Sequence, residues 1–308
     1  MNLREEYEKN KEFVLLKTTS NPDLFILKYK RSVFYSGKWN DFLRECRGLV
    51  VDKDFNVVSY GFTKIHNFRV EPDAPDWTDD TEVSVVRKVN GFMCTVSSYN
   101  GELVVSTTGS IDSDFAKLAR SYISKELESL ILNEFSGMSC IFECCDETDP
   151  HIVAEAPGLY FLGMRKNEIG SKIAYHVEDH EFWADLGVCT LITTTKTVGE
   201  VMYDLKQCRH EGYVMYRDFV DQHGNSRQEA SKCKSPHYLV KKLFMRGDTN
   251  KLLDRNIKRT IPEEYFRLVD HIKANREEFV ELSEQSRRKF IEAFIRGCDI
   301  INSSKYTL

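Results

Sequence analysis

The chain has 308 residues and a formal net charge of −5 at pH 7, with 41% hydrophobic, 30% charged and 12% aromatic residues. That composition excludes a disordered or collagen-like polymer and leaves enough apolar material for one large domain plus a small one. No apolar run approaches the roughly 20 residues that span a bilayer, and the opening MNLREEYEKNKEF lacks the apolar centre of a secretory signal. The expectation is a cytoplasmic protein, in the host's cytoplasm if the chain is viral, with no membrane partner.

From about residue 24 to 235, short β-type runs alternate with turn signals. The candidate strands are LFILKYK, RGLVVD, NVVSYGF, EVSVVRK, MCTVSSY, ELVVSTT, SCIFECC, LYFLGMRK, EGYVMYRD and the run ending ASKCKS. Asn100-Gly101 predicts a tight hairpin between two of them, and Asp221 to Asn225 a second hairpin. Helical periodicity runs over 112–135, where Phe115, Leu118, Ala119, Tyr122, Ile123, Leu127, Leu130 and Ile131 recur at three and four. After residue 245 the texture becomes helical. Thr260-Ile-Pro-Glu263 has capping-box spacing with proline in the first turn, which predicts helices over about 262–281 and 284–298. The fold class expected is α+β, an antiparallel-sheet domain over 1–244 followed by a small all-α domain over 245–308, with Arg246-Gly247-Asp248 at the turn.

The nine cysteines are scattered and mostly sit in apolar segments, which reads as reduced core thiols; no paired C-x-x-C marks a zinc site. Charge is uneven. Residues 232–259 carry nine Lys or Arg against two Asp, a basic stripe suited to polyphosphate.

The chemistry-bearing residues form ordered islands: Arg47-Gly48, Lys64, Lys88-Val89-Asn90-Gly91, Phe142-Glu143, Glu211-Gly212-Tyr213 and Lys232-Cys233-Lys234. A lysine attacks phosphorus only as the neutral amine, so a nucleophile at Lys88 calls for neighbouring cations that disfavour its ammonium form. Lys232 and Lys234 are two apart on a predicted strand and point to one face; their charge also suits phosphate oxygens. Glu143 and Glu211 sit at the ends of apolar runs, where a carboxylate can accept a sugar hydroxyl or hold Mg²⁺ arriving with substrate phosphates. Arg47 offers a planar fork for phosphate. Taken singly, each lysine is better explained as a solvated surface charge, each glutamate equally well as a strand-end charge, and Arg47 ordinarily as a surface arginine beside a turn.

In order, these islands resemble the covalent lysine nucleotidyltransferase superfamily and, within it, the phage-type single-strand RNA ligase family, type 1. Glu45-Cys46-Arg47-Gly48 is similar to that family's E-C-R-G element and Lys64-Ile65-His66-Asn67-Phe68 to its K-F-F-N-like element. Lys88-Val89-Asn90-Gly91 resembles the nucleophile motif, Ser106 to Ile111 the following G-S-I segment, Phe142-Glu143 the third motif, Glu211-Gly212-Tyr213-Val214 the fourth and Lys232-Cys233-Lys234-Ser235 the fifth. The ligase domain of fungal tRNA ligases also shows K-x-N-G.

The resemblance implies an antiparallel nucleotidyltransferase domain that joins 5′-phosphate and 3′-hydroxyl RNA ends with ATP and Mg²⁺, or Mn²⁺ in its place, through lysyl-AMP and 5′-adenylylated RNA. It implies a monomer acting on single-stranded RNA or a broken tRNA, in RNA repair. It gives Lys88, Lys232, Lys234 and Glu211 catalytic roles, with Glu211 also on the metal. It places Arg47 and Lys64 on the β and γ phosphates, Glu143 on the ribose, and Asn90, Gly91 and Tyr238 around the nucleotide. Two positions depart from the pattern: Asn90 stands where many relatives carry aspartate, and Thr108 where they tend to have a basic residue. Other readings are a DNA ligase, a GTP-dependent capping enzyme, or an RNA-end-binding protein with impaired catalysis. The E-C-R-G and Lys64 elements favour the RNA ligase, and nothing after Lys234 suggests an appended OB-type domain. Within the basic stripe, Lys241, Lys242 and Arg246 are expected to face RNA.

Overall fold

The computed structural model describes residues 1–149, 151–254 and 257–303. The chain starts with α1 (Leu3–Asn10) and then lays down a four-stranded sheet from β1 (Val14–Thr18), β2 (Leu24–Tyr29), β3 (Arg47–Asp52) and β4 (Val57–Ser59), in that spatial order. Two short helices, α2 (Arg31–Ser36) and α3 (Asp41–Glu45), fill the connection between β2 and β3.

Next come β5 (His66–Asn67), β6 (Glu82–Lys88), β7 (Phe92–Tyr99) and β8 (Glu102–Thr107), followed by α4 (Asp114–Ser121) and α5 (Lys125–Asn133). They are followed by β9 (Met138–Cys145), β10 (Gly158–Lys166), α6 (His180–Asp185), β11 (Val188–Cys189), β12 (Thr193–Thr197), α7 (Val198–Gln207), β13 (Gly212–Val220) and β14 (Ser226–Lys234). These strands form two five-stranded sheets, ordered β11-β10-β9-β7-β8 and β12-β6-β13-β14-β5. All but two of the pairings are antiparallel, the exceptions being β10 with β11 and β14 with β5. The apolar face of the first five-stranded sheet, with Val96, Phe142 and Phe161, packs on Ala119, Leu127 and Ile131 of α4 and α5.

Local sequence explains several of these elements. Asn100 and Gly101 both take positive φ, 52° and 79°, the backbone that a two-residue hairpin turn matching strand twist demands. The periodicity over 112–135 resolves into two helices rather than one, because Ser124 leaves the helical path and its side chain accepts the amide of Leu127, starting α5 afresh.

Past β14 the chain is helical: α8 (Pro236–Arg246), α9 (Thr249–Asp254), α10 (Phe266–Ala274), α11 (Arg276–Glu281) and α12 (Glu284–Ser303). The expected capping box at Thr260 does not form, since the Thr260 hydroxyl turns back to the Ile257 carbonyl and Pro262 precedes a short 3₁₀ turn. The stretch 262–281 is correspondingly interrupted at Asn275, between α10 and α11. Tyr238, Phe244, Leu268, Ile272, Phe279 and Ile291 share one core, into which Ile152 from the body also packs. No helix among the described residues is long and apolar enough to cross a membrane. Eight cysteines are free thiols, seven of them buried; the Cys298 side chain and Arg255 of the basic stripe lie outside what is described.

The stripe itself needs one correction. Lys241 does not face RNA: it is 2% exposed, and its ammonium donates to Glu292 of α12 at 2.7 Å. Helical spacing places it on the inner side of α8, whereas Lys242 and Arg246 are exposed. Lys241→Ala strands the Glu292 carboxylate at that contact and is expected to cost about 3 kcal/mol of stability in urea unfolding, with self-labelling by nucleotide little changed below the transition.

Candidate active site

The ladder that joins β6, β13 and β14 brings Lys88, Gly212 and Lys234 side by side, because Gly212 is in register with both lysines. Glu211 immediately precedes Gly212 and projects between the two ammonium groups. Its Oε2 lies 3.2 Å from Lys88 Nζ and its Oε1 2.9 Å from Lys234 Nζ. Glycine is required at 212: φ is +143°, and a Cβ there would lie 2.0 Å from the Cys233 carbonyl oxygen. Gly91 is similarly constrained, since its Cβ would lie 2.2 Å from the Cys144 carbonyl oxygen where β7 leaves toward β9. The two motif glycines thus let strands approach closely enough to hold the adjoining functional side chains.

Asn90 acts as a two-sided connector. Its Nδ2 donates to Glu211 Oε2 at 2.9 Å, and its Oδ1 accepts the Val153 amide at 2.9 Å. A carboxylate could do the second but not the first, which gives the departure at this position a physical role. Glu143 Oε1 accepts the Gly91 amide at 3.0 Å. Burial pushes the Glu143 carboxyl up, with Lys88 pulling it down and Glu211 adding repulsion. For Glu211 burial acts upward too, but Lys88 and Lys234 outweigh it and hold this carboxyl below its ordinary range.

Lys232, in register with Val214 on β13, faces the same cleft. Burial first, and then repulsion from Arg47, Lys64, Lys88 and Lys234, brings its ammonium down to about 7. Among the described residues Lys232 makes no ion pair. Arg47 also lines the cleft, and among the described residues its side chain donates only to Met93 Sδ, at 3.2 Å. Tyr238 closes one side, with the Lys234 ammonium 4.6 Å over its ring.

The resulting cleft, about 520 Å³, gathers Arg47, Lys88, Asn90, Gly91, Glu143, Glu211, Lys232, Lys234 and Tyr238. Beside it, a narrow recess of about 80 Å³ is walled by Phe62, Ile65, Val86, Leu162, Val214 and Tyr216 and opens onto Lys88 and Glu143. Lys64 stands apart from this lining. It is buried, donates to Glu71 Oε2 at 2.6 Å and lies 5.3 Å over the Trp39 ring. Burial disfavours the Glu71 anion, yet hydrogen bonds from Lys64 and His66 more than offset it and hold the carboxyl at about 2.

A family model described as RNA ligase matches residues 45–238 of the sequence. The chain belongs to the RNA ligase family. The ligase also superposes on solved structures: an archaeal ATP-dependent RNA ligase, form 1 and form 2, with TM-scores of 0.54 and 0.53 at 16% and 15% identity. These alignments cover 93% and 92% of this chain and 74% of the archaeal one. A putative ATP-dependent DNA ligase from Aquifex aeolicus gives 0.52 at 15% identity, over 98% of this chain and 80% of that one. At such identities these likenesses concern the fold. Comparison with curated proteins gives no match.

Several groups around the ligase's cleft carried no sequence signal. Glu155 accepts the Asn90 amide at 3.4 Å and pairs with Arg87. Asp149 and His151 line the cleft from the same loop, whereas Arg246, which reaches it from α8, was already counted in the basic stripe. Among the described residues no cluster of three or more metal-ligating side chains occurs. Among the described residues the carboxylates lining the cleft are Glu143, Glu211 and Asp149, and repulsion from Glu211 adds to the burial that raises the Glu143 carboxyl. That donor set fits a divalent ion carried in on phosphate oxygens rather than one held by a protein cage.

Proposed function

We propose that this ligase seals RNA with ATP: Lys88 takes AMP from ATP, the AMP passes to a 5′-phosphate, and a 3′-hydroxyl displaces it. The observation that carries the reading is the Glu211 carboxylate wedged between Lys88 and Lys234, with Lys232 and Arg47 in the same cleft forming no ion pair among the described residues. Such cations are available to phosphate oxygens without first breaking an ion pair. The apolar recess beside Lys88 offers a surface for a base to pack against, and Glu143, which also lines it, is placed to accept a ribose hydroxyl.

In the first step the Lys88 nitrogen forms a bond to the α-phosphorus, the bond to the bridging oxygen breaks and pyrophosphate leaves. The proton shed by Lys88 has Glu211 Oε2 as its nearest carboxylate acceptor, at 3.2 Å. Lys232 and Lys234 offset charge on the α-phosphate as it crowds. Mg²⁺ or Mn²⁺, held by Glu211 and substrate oxygens, supplies further charge neutralisation when bound. Lys64 reaches β and γ phosphates only by exchanging its contact with Glu71 for the nucleotide.

The natural substrate in this reading is single-stranded RNA with a 5′-phosphate and 3′-hydroxyl, broken tRNA included, handled by a monomer in the cytoplasm as a repair reaction. The chain divides functionally into an adenylyltransferase body, 1–244, and a helical tail, 245–308, with the boundary inside α8. Incubation with labelled ATP or GTP and Mg²⁺, followed by sealing assays on single-stranded RNA, tRNA halves and nicked DNA duplex, tests this. Covalent AMP with sealing of RNA is the expected result. Covalent GMP, or sealing confined to nicked DNA, overturns it, and a protein that binds RNA without acquiring AMP is a binding module instead.

A further inference from the structure

Outside the cleft, the segment between β2 and β3 combines charge and aromatic surface in a way the sealing chemistry has not used. From Leu24 to Asn40 there is no Asp or Glu, while Lys28, Lys30, Arg31 and Lys38 are all present. On α2, Phe34 is 52% and Tyr35 79% exposed, with their rings edge to face at 5.6 Å. Two large aromatic rings held in water beside cations are unusual for a surface that has nothing to bind.

This surface is continuous with the cleft by two routes. Lys28 is in register with Arg47, which lines the cleft. Burial and repulsion from Lys17, Arg47 and Arg31 all lower the Lys28 ammonium, so these cations form one field. Lys17 donates to the Gly109 carbonyl next to Thr108, and Lys28 Nζ lies 3.0 Å from where a Cβ on Gly109 would stand. On the other side, Lys64 Nζ lies 6.0 Å from the Phe34 ring centroid and adds to the field around Lys232. Among the described residues Lys28, Arg31 and Lys38 form no ion pair.

We propose that the α2 surface, from Arg31 through Phe34 and Tyr35 to Lys38, holds the RNA strand whose 5′-phosphate is to be activated. The direction follows from the in-line geometry of phosphoryl transfer. When Lys88 attacks the α-phosphorus, pyrophosphate departs from the face opposite its nitrogen. In the next step an oxygen of the RNA 5′-phosphate forms the new bond to that phosphorus, the nitrogen-phosphorus bond breaks and Lys88 regains a proton. The incoming phosphate therefore enters where pyrophosphate left, among the cations without carboxylate partners. Nucleotides trailing from it run out over Lys28 and Arg31 to α2, where bases stack on Phe34 and Tyr35 and the backbone meets Arg31 and Lys38. The inference rests on the ligase reading given above.

The test uses the whole protein, with Phe34→Ala/Tyr35→Ala and Arg31→Gln/Lys38→Gln as paired variants. Self-labelling by ATP is expected to stay within about twofold of the parent. Transfer of AMP from the labelled enzyme to a ten-nucleotide 5′-phosphorylated RNA is expected to slow by about tenfold or more in the aromatic pair, and to become less salt-dependent in the charge pair. Transfer to a nucleoside 3′,5′-bisphosphate, too short to reach α2, is expected to be unchanged. Equal losses on both donors, or no loss on the long one, overturns the proposal. So does a defect seen only with a preformed adenylylated donor and a lengthened acceptor, which would place the acceptor strand there. If the parent itself never adenylylates RNA, the ligase reading fails and this surface falls with it.

Discussion

A Lys88→Ala protein is expected to take up no covalent AMP from labelled ATP, a drop of about a thousandfold or more, while still sealing RNA that already carries a 5′-adenylyl group. The first half follows because covalent catalysis needs the nitrogen itself; Lys234 is held on the far oxygen of Glu211 and Lys232 lies two residues along the same strand, so neither replaces Lys88 in line with the α-phosphorus. The second half follows because sealing of preactivated RNA forms no bond to lysine and draws only on the cations and carboxylates that remain. Denaturing gels of labelled protein, run beside sealing of a preadenylylated strand, separate the two. Labelling equal to the parent's assigns the nucleophile elsewhere. Loss of both activities, in a protein whose melting temperature matches the parent's, makes Lys88 a binding residue instead.

What was legible in the sequence, and what was not, divides along physical lines. Glu82–Lys88 announces itself as a partly alternating strand, Met138–Cys145 as a short apolar run buried at every residue after the first, and the hairpin at Asn100-Gly101 by a turn that demands positive φ. The edge strand Thr193–Thr197 gives no such signal, being polar and nowhere fully buried, and Val14–Thr18 is buried only at its first residue. Ser235-Pro236 does carry the start signal for α8, a capping hydroxyl followed by proline in the first turn, but it hides at the end of a strand-like run. The lysine, glutamate and asparagine of the cleft were readable because strands space them rigidly. Glu71 beneath Lys64, and Glu155 beside Asn90, reach their partners through loops that only long-range folding positions. Lys241 illustrates the opposite error: a charge counted in a basic stripe is in fact an interior ion pair.

Lys232→Met is expected to make the ligand-free protein more stable at pH 6 while weakening ATP binding by about 10- to 100-fold. Burial and four surrounding cations bring the Lys232 ammonium from an ordinary 10.5 to about 7, so folding disfavours its charged form. The unfolded chain binds a proton there up to about pH 10.5, whereas the folded chain loses it near pH 7. The penalty is therefore complete below pH 7 and is relieved as pH rises from 7 toward 10.5. Removing the charge recovers on the order of 3 kcal/mol at pH 6 and little at pH 10, so melting curves of the two proteins should converge with rising pH. A bound triphosphate reverses the balance, because its negative charge favours the ammonium. Above pH 7 ATP binding should then draw a proton onto the parent, visible as a dependence of the calorimetric binding enthalpy on the ionisation enthalpy of the buffer, and absent in Lys232→Met. A variant less stable than the parent at pH 6, with the parent's proton uptake intact, removes Lys232 as the charge that the nucleotide relieves. On the proposed function, the cleft that would gain stability by losing this lysine is the one that needs it to hold phosphate.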